Sequence, residues 1–350
     1  MARYLEINGQ PISDETDCYV IAEIGHNHQG SVEKAKELFK AAKDCGVSAV
    51  KLQKRSNKTL FTKALYDQAY DNENSFGPTY GAHREALEFG WDEYVDLKAY
   101  TDAIGVTFFA TAFDFESADF HARLDVPAYK MASGDQLNIP QMTHVARIGK
   151  PMIVSTGGGT MDDVQRVYDA VMPINPQLCI LQCTAAYPAE PEQMNLRVIT
   201  TFRERYPDTV IGLSDHQNGI AMADVAYLLG ARVVEKHFTL NRAWKGSDHA
   251  YSLEPVGMRK LVRDLHRVRE ALGDGIKQTM ACEAKPLYKM GKKLVAATGL
   301  PAGHVLTRED IAIKSPNDGL PPYEIDRVIG RTLARALEAD DSIRFEDLAG

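Results

Sequence analysis

VIGLSDHQNG at 210–219 is followed by a helical stretch and then by VVEKHFTL at 233–240 and WKGSDHAYSL at 244–253. Two β-branched apolar runs each end in a polar cluster that holds a histidine, His216 in the first and His237 in the second. This is the pattern of two neighbouring parallel strands whose carboxyl ends carry a site, as in an open α/β sheet or a (β/α)8 barrel. The spacing is too long for a helical i, i+4 zinc pair, and no CxxC accompanies it. Two imidazoles near Asp215, Glu235 and Asp248 suit a divalent cation, Mn2+ first with Mg2+ or Co2+ as alternatives, better than a structural zinc. Either histidine alone reads equally well as a hydrogen-bonded core residue. Matched strand ends flanked by acids favour a metal site on His216 and His237.

Working outward, the same alternation covers most of the chain. CYVIAEIG ends near Glu23, AVKLQ carries Lys51 and Gln53, and VTFFAT ends at Thr111. AYKMASGD brings Lys130 and Ser133, PMIVSTGGG brings Ser155, and LCILQCTAAYP brings Thr184 and Tyr187. With Ser214 in the first quoted run this makes eight candidate strands, most of them separated by helical patterns. After the first, Ser31 is placed to cap a helix whose apolar positions Val32, Ala35, Leu38, Phe39 and Ala42 recur at helical spacing, with Cys45-Gly46 as its stop. The count favours a (β/α)8 barrel of the TIM type, with a doubly wound sheet as the alternative. Eight polar strand ends imply one shared mouth, and two lysines among several hydroxyls suit a ligand with phosphate and carboxylate groups.

Composition sets limits. The chain has 350 residues, 44% hydrophobic and 25% charged, with a net charge of −8. That leaves no electrostatic footprint for nucleic acid or an anionic membrane. No apolar run reaches membrane-spanning length, and MARYLEINGQ lacks the regions of a signal peptide. Five cysteines, four of them in apolar patterns, read as reduced thiols in a cytoplasm.

Three stretches need separate weighing. Gly157–Gly159 fits neither GxGxxG nor a Walker loop; it reads as a tight βα turn next to a phosphate, with Thr160 and Asp163 capping the following helix. His26 and His28 lie in a Gly-bounded loop, where rim or turn roles are commoner, although His28 is within reach of the mouth. Residues 57–90 form an unusually long connection whose aromatics (Phe61, Tyr66, Tyr70, Phe76, Tyr80) argue against disorder and for a flap over a sugar or a subunit contact. The pattern changes after MRKLVRDLHRVREAL, which divides the chain into a barrel, 1–283, and a small module, 284–350, whose core is marginal by itself.

IAEIGHNHQGS, AVKLQK, YKMASGD, STGGG, LQCTAAYP, GLSDH, EKHFTL and KGSDHAYSLEP together resemble the successive motifs of the sialic acid (N-acetylneuraminate) synthase family. The likeness runs through essentially the whole chain, and the C-terminal module resembles that family's antifreeze-like (SAF, β-clip) domain. The wording of Gln53-Lys54, TYGAHREALEF and WKGSDH resembles most the branch of N-acetylneuraminate-9-phosphate synthases; other members make legionaminic or pseudaminic acid or serve spore coat polysaccharide biosynthesis.

The resemblance implies a cytoplasmic, metal-dependent transferase that condenses phosphoenolpyruvate with an N-acetylmannosamine-type sugar, or its 6-phosphate. The product is a nine-carbon 2-keto (nonulosonic) acid, and phosphate is released. By that resemblance Glu23, Lys51, Lys130 and Asp248 are catalytic. Lys51 and Ser214 hold the carboxylate of phosphoenolpyruvate, and Thr111, Lys130, Ser133 and Ser155 its phosphate. Gln53, Asp135, Tyr187 and Asp248 meet the sugar, and Glu235 supports the metal region. A domain-swapped homodimer, with neither nucleic acid nor membrane as partner, is also implied. Two departures bear on the sugar: Lys314-Ser315-Pro316-Asn317 stands where many members carry KRPG, and Asp135 replaces a glutamate. The competing readings are a related phosphoenolpyruvate-dependent barrel using another aldose, and a non-catalytic carbohydrate- or ice-binding protein.

Overall fold

The computed structural model describes residues 3–349. The chain divides into two compact units, Met1–Gly273 and Asp274–Gly350. The first opens with an antiparallel hairpin, β1 (Tyr4–Ile7) and β2 (Gln10–Ser13), joined by Asn8 and Gly9 at φ 52° and 76°. Two consecutive positive φ angles are what a two-residue hairpin turn requires, and Asn-Gly supplies them at low cost. Leu5, Ile7 and Ile12 are buried. Apolar-run reading passes over this hairpin because each arm has four residues.

Eight parallel strands then close on themselves: β3 (Tyr19–Gly25), β4 (Ala49–Lys54), β5 (Thr107–Ala112), β6 (Tyr129–Met131), β7 (Met152–Ser155), β8 (Leu178–Cys183), β9 (Val210–Asp215) and β10 (Val233–His237). Each pairs with its neighbour in sequence, and β10 returns to β3. Closure excludes the doubly wound sheet. Parallel strands covered by helices outside and side chains inside are buried on both faces, which is why they read as continuous apolar runs.

The register sets the site. His237 lies beside Glu23, and Glu23 beside Lys51; one step on, Gln53, Thr111 and Lys130 stand side by side across three strands. The helix Val32–Asp44 forms as its sequence dictates. Ser31 Oγ accepts from the Lys34 N–H at 3.2 Å, and Ala35, Leu38, Phe39 and Ala42 are buried. Gly46, at φ 88°, lets the chain leave it.

The connection 57–90 is ordered. It contains three short helices, Asn57–Leu60, Lys63–Tyr66 and Tyr80–Glu85. Tyr70 packs between Tyr80 and His83, with ring centroids 5.5 and 4.7 Å away. Asn74 Oδ1 accepts from the Gly246 N–H at 2.9 Å, which ties this flap to the loop after β10.

The second unit has its own small core, including Leu294, Leu306, Ile311, Val328, Leu333 and Ile343. Strands β11 (Lys293–Ala296) and β12 (Ile311–Lys314) pair antiparallel within it, and a single helical turn covers Ile325–Val328. Lys314 pairs with Asp340. Among the described residues no helix is long and apolar enough to cross a membrane.

Candidate active site

Alternation along a strand sends every second side chain into the barrel, and the carboxyl-terminal ring of these meets a cavity of about 480 Å³. Glu23, Lys51, Gln53, Thr111, Lys130 and Ser133 line it, as do Ser155, Tyr187, Ser214, Glu235 and Asp248. His216 and His237 line it too. Thus most of the residues predicted from strand ends converge on one space, while Thr184, Asp215 and Asp135 do not line it. Asp135 sits in the helical turn Ser133–Asp135, outside the lining, with Oδ2 buried and unpartnered. Burial pushes its carboxyl up to about 7.

Charges at the floor are nearly balanced. Lys51 Nζ lies 2.5 Å from Glu23 Oε2 and 3.9 Å from Glu235 Oε2, and Lys130 Nζ lies 3.7 Å from Glu235 Oε1. Lys51 also donates to Thr111 Oγ1 at 2.8 Å, and Gln53 Nε2 donates to Glu23 Oε1 at 2.6 Å. Burial, reinforced by the like charge of Glu235, raises the Glu23 carboxyl against the pull of Lys51. The two lysines hold Glu235 below its ordinary value despite burial. Around this pair the Oγ of Ser155 is buried and unpartnered. Ser133 Oγ accepts from the Gly157 N–H at 2.9 Å and donates only to Cys183 Sγ, a weak acceptor at 3.5 Å, which a phosphate oxygen can displace. A floor with two ammonium groups and unspent hydroxyls is built for an anion with several acceptor oxygens.

Beside this floor the two histidine rings lie 5.4 Å apart. Burial holds both pKa values low, His216 at about 4, so both rings are neutral and carry a lone pair. His216 Nδ1 faces the Thr184 carbonyl at 2.9 Å; the N–H therefore sits on Nδ1 and Nε2 is the free donor atom. His237 Nδ1 is buried without a hydrogen-bond partner, 3.8 Å from Asp248 Oδ2. These are the features of two imidazoles that fit one divalent cation. Among the described residues no cluster of three or more His, Cys, Asp or Glu side chains stands ready to cage an ion. An ion here would complete its shell with water or substrate oxygens.

Asp215, one of the acids near the histidines in sequence, is turned away from the cavity. It pairs with Lys236 at 2.8 Å, both side chains being almost fully buried between β9 and β10. His28 is buried outside the cavity lining and stacks on Phe89 at 4.2 Å. Asn27 ties the loop together by donating to the Phe238 carbonyl and Ser252 Oγ. The 157–159 turn behaves as its sequence suggests at its helical end, where Thr160 and Asp163 form a reciprocal cap. A Cβ on Gly157 would meet Ser133 Oγ at 2.9 Å and the Ala185 nitrogen at 3.0 Å, so only glycine fits there.

Several cavity residues went unread in the sequence, Arg55, Arg84, Phe113, Ser247 and Tyr251, while Tyr70 enters as one of the expected flap aromatics. Arg55 continues the i, i+2 series of Lys51 and Gln53, which was an available signal. Arg84 and Tyr70 come from the flap, whose path no periodicity reveals.

Known proteins resemble this chain over most of its length. A profile of the NeuB family matches residues 38–277, and one of the SAF domain matches residues 293–349. N-acetylneuraminate-9-phosphate synthase of Mus musculus is 40% identical over 341 residues, covering 97% of this chain and 95% of that protein. N,N'-diacetyllegionaminic acid synthase of Legionella pneumophila is 32% identical over 350 residues, covering 98% of each. The crystal structure of the N-acetylneuraminic acid synthetase of Leptospira borgpetersenii superimposes with a TM-score of 0.71 at 28% identity, over 82% of this chain and 95% of that one. The chain belongs to the NeuB family.

Proposed function

From this membership we propose that the protein condenses phosphoenolpyruvate with an N-acylated amino sugar of the N-acetylmannosamine type, forming a nine-carbon nonulosonic acid for surface polysaccharide and releasing phosphate. The observation that carries this is the joint floor of the cavity: two lysines, two carboxylates and unspent hydroxyls beside two neutral imidazoles. A carbohydrate-binding protein has no use for a buried carboxylate held against an ammonium group next to a pair of metal-competent histidines.

Each side chain then has a task. Lys51 and Ser214 hold the carboxylate of phosphoenolpyruvate. Lys130, Thr111, Ser133 and Ser155 hold its phosphate. Asp248, Gln53 and Tyr187 orient the sugar so that its aldehyde carbon faces carbon 3 of phosphoenolpyruvate. As that C–C bond forms, positive character develops at carbon 2. Glu23, raised by burial and gripped by Lys51 and Gln53, takes the proton of the water that adds there. As the carbon–oxygen bond breaks, the proton of the new hydroxyl passes to the departing phosphate, which leaves against Lys130, and the former aldehyde oxygen takes up the proton held by Glu23. His216 and His237 would hold a divalent cation, Mn2+ first among the candidates, which would supply Lewis acidity toward the sugar aldehyde.

The reading also includes a cytoplasmic homodimer in which the second unit closes the partner's cavity. What supports it is the small core of that unit, and the need to keep stray water from the cationic centre at carbon 2. Phosphate release and phosphoenolpyruvate consumption with N-acetylmannosamine, its 6-phosphate and a diacetamido-trideoxy sugar, with and without Mn2+, test the reaction. Inactivity across the panel with Mn2+ present would reject it.

A further inference from the structure

A hydrogen-bonded ladder leads from the cavity floor to its rim. Gln53 joins Glu23 to Arg55, whose Nη2 donates to Gln53 Oε1 at 2.7 Å. Arg55 Nη1 then meets His26 Nε2 at 3.1 Å, and from the other side Arg84 Nη1 meets His26 Nδ1 at 3.2 Å. Both guanidinium groups line the cavity.

The two ends differ in charge. At the floor Glu23 and Glu235 stand against Lys51 and Lys130. At the rim, neither arginine has a carboxylate within 4.0 Å among the described residues, and nearby Glu88 is taken by Lys54 at 2.8 Å. Arg55 is 7% exposed and lies flat on Phe113, 3.7 Å from the ring centre, while Arg84 packs over Tyr80. Two like charges held together in a largely buried corner are costly unless an anion joins them.

Arg55 Nη2 is spent on Gln53 and Arg84 Nη2 on Tyr80 Oη at 2.9 Å, but other donors are not. Burial and the flanking arginines keep His26 neutral. A neutral imidazole has one acceptor nitrogen, so it satisfies only one of the two guanidinium contacts. Arg84 Nε is buried with no partner at all. The aromatic faces and Gln53 fix both forks in place before any ligand arrives.

We propose that Arg55 and Arg84 form a second anion subsite, which receives a terminal phosphate of the acceptor, so that the substrate is an amino-sugar phosphate. This rests on the synthase reading above. Lys51 and Arg55 are four residues apart along the strand direction, roughly 13 Å between their Cα atoms, so the rim pair stands above the floor pair on the same side of the cavity. The aldehyde end would lie towards Glu23 and the histidines, and the phosphate end at the rim. Two rigid guanidinium forks match a phosphate dianion, whereas an unphosphorylated sugar offers them only neutral oxygens.

The test compares N-acetylmannosamine with its 6-phosphate, using the full chain with Mn2+ and phosphoenolpyruvate. The wild type is expected to favour the 6-phosphate in kcat/KM by roughly a hundredfold, and Arg84→Ala to erase most of that preference through KM. Arg84→Lys, which keeps the charge but not the fork, is expected to fall between them. A wild type without preference, or an Arg84→Ala variant that keeps it in full, overturns the subsite while the synthase reading stands. Equal kcat/KM for the two sugars, with inhibition by inorganic phosphate that weakens in Arg84→Ala, would make the rim a free-phosphate site and overturn the sugar assignment. No phosphoenolpyruvate consumption with either sugar rejects the synthase reading, and the subsite with it.

Discussion

Lys51 Nζ lies 2.5 Å from Glu23 Oε2, with both side chains 2% exposed and their Cα atoms in register on adjacent parallel strands. The contact gives the carboxylate a fixed position at the cavity floor, and Gln53 holds its other oxygen. Glu23→Gln keeps the size and removes the proton acceptor. Turnover should fall roughly 100-fold or more with a small change in KM for phosphoenolpyruvate. Steady-state phosphate release checks this, and an unchanged kcat would move the water-activating role to another acid.

His216→Ala and His237→Ala should each abolish tight Mn2+ binding, read by calorimetric titration of the protein with the metal alone. Two side-chain ligands at a strand end contribute little to the barrel's stability, so far-UV circular dichroism should be unchanged. A variant that still binds Mn2+ as the wild type does would remove that histidine from the ligand set.

The Asp135 carboxyl, raised from an ordinary 3.8 to about 7 by burial, binds its proton more tightly folded than unfolded. Between these values the native state carries more protons, so the group's contribution to stability declines as pH rises from about 4 to 7 and is flat above that. Asp135→Asn should therefore gain thermal stability relative to the wild type as pH increases over that window. A constant difference in Tm from pH 4 to 8 would show that Asp135 titrates normally.

Lys236 and Asp215 form a buried pair outside the cavity. Lys236→Met leaves Asp215 without its cation and should cost about 3 kcal/mol or more in urea unfolding. The double variant with Asp215→Asn, which keeps the acceptor for the Gln217 N–H, should recover part of the loss. Additive losses would mean that the pair is not energetically coupled.

A homodimer closed by the second unit predicts a dimer in sedimentation experiments. A chain ending at Glu283 should retain a cooperatively melting barrel and phosphoenolpyruvate binding, yet lose most condensation activity. Full turnover in the shortened chain would dispense with the lid.

The barrel and the floor of its site were legible in the sequence, for a geometric reason. A buried parallel strand must be a short apolar run, and its carboxyl end must face the mouth. Polar residues at eight such ends, from Glu23 to His237, were therefore bound to meet once the sheet closed. What each acid does there was not legible. Asp215 and Ser214 are adjacent in the chain, yet alternation sends Ser214 into the cavity and Asp215 to Lys236; Asp135 leaves the lining because the chain turns helical after Ser133. Arg84 lies 29 residues beyond Arg55 in sequence, and only the folded path of the flap, pinned by aromatic packing and by Asn74 on Gly246, brings the two guanidinium groups onto opposite nitrogens of His26. Local periodicity encodes which way a strand residue points. It carries no information about where a loop of over thirty residues returns, because that is decided by tertiary contacts between side chains far apart in the chain.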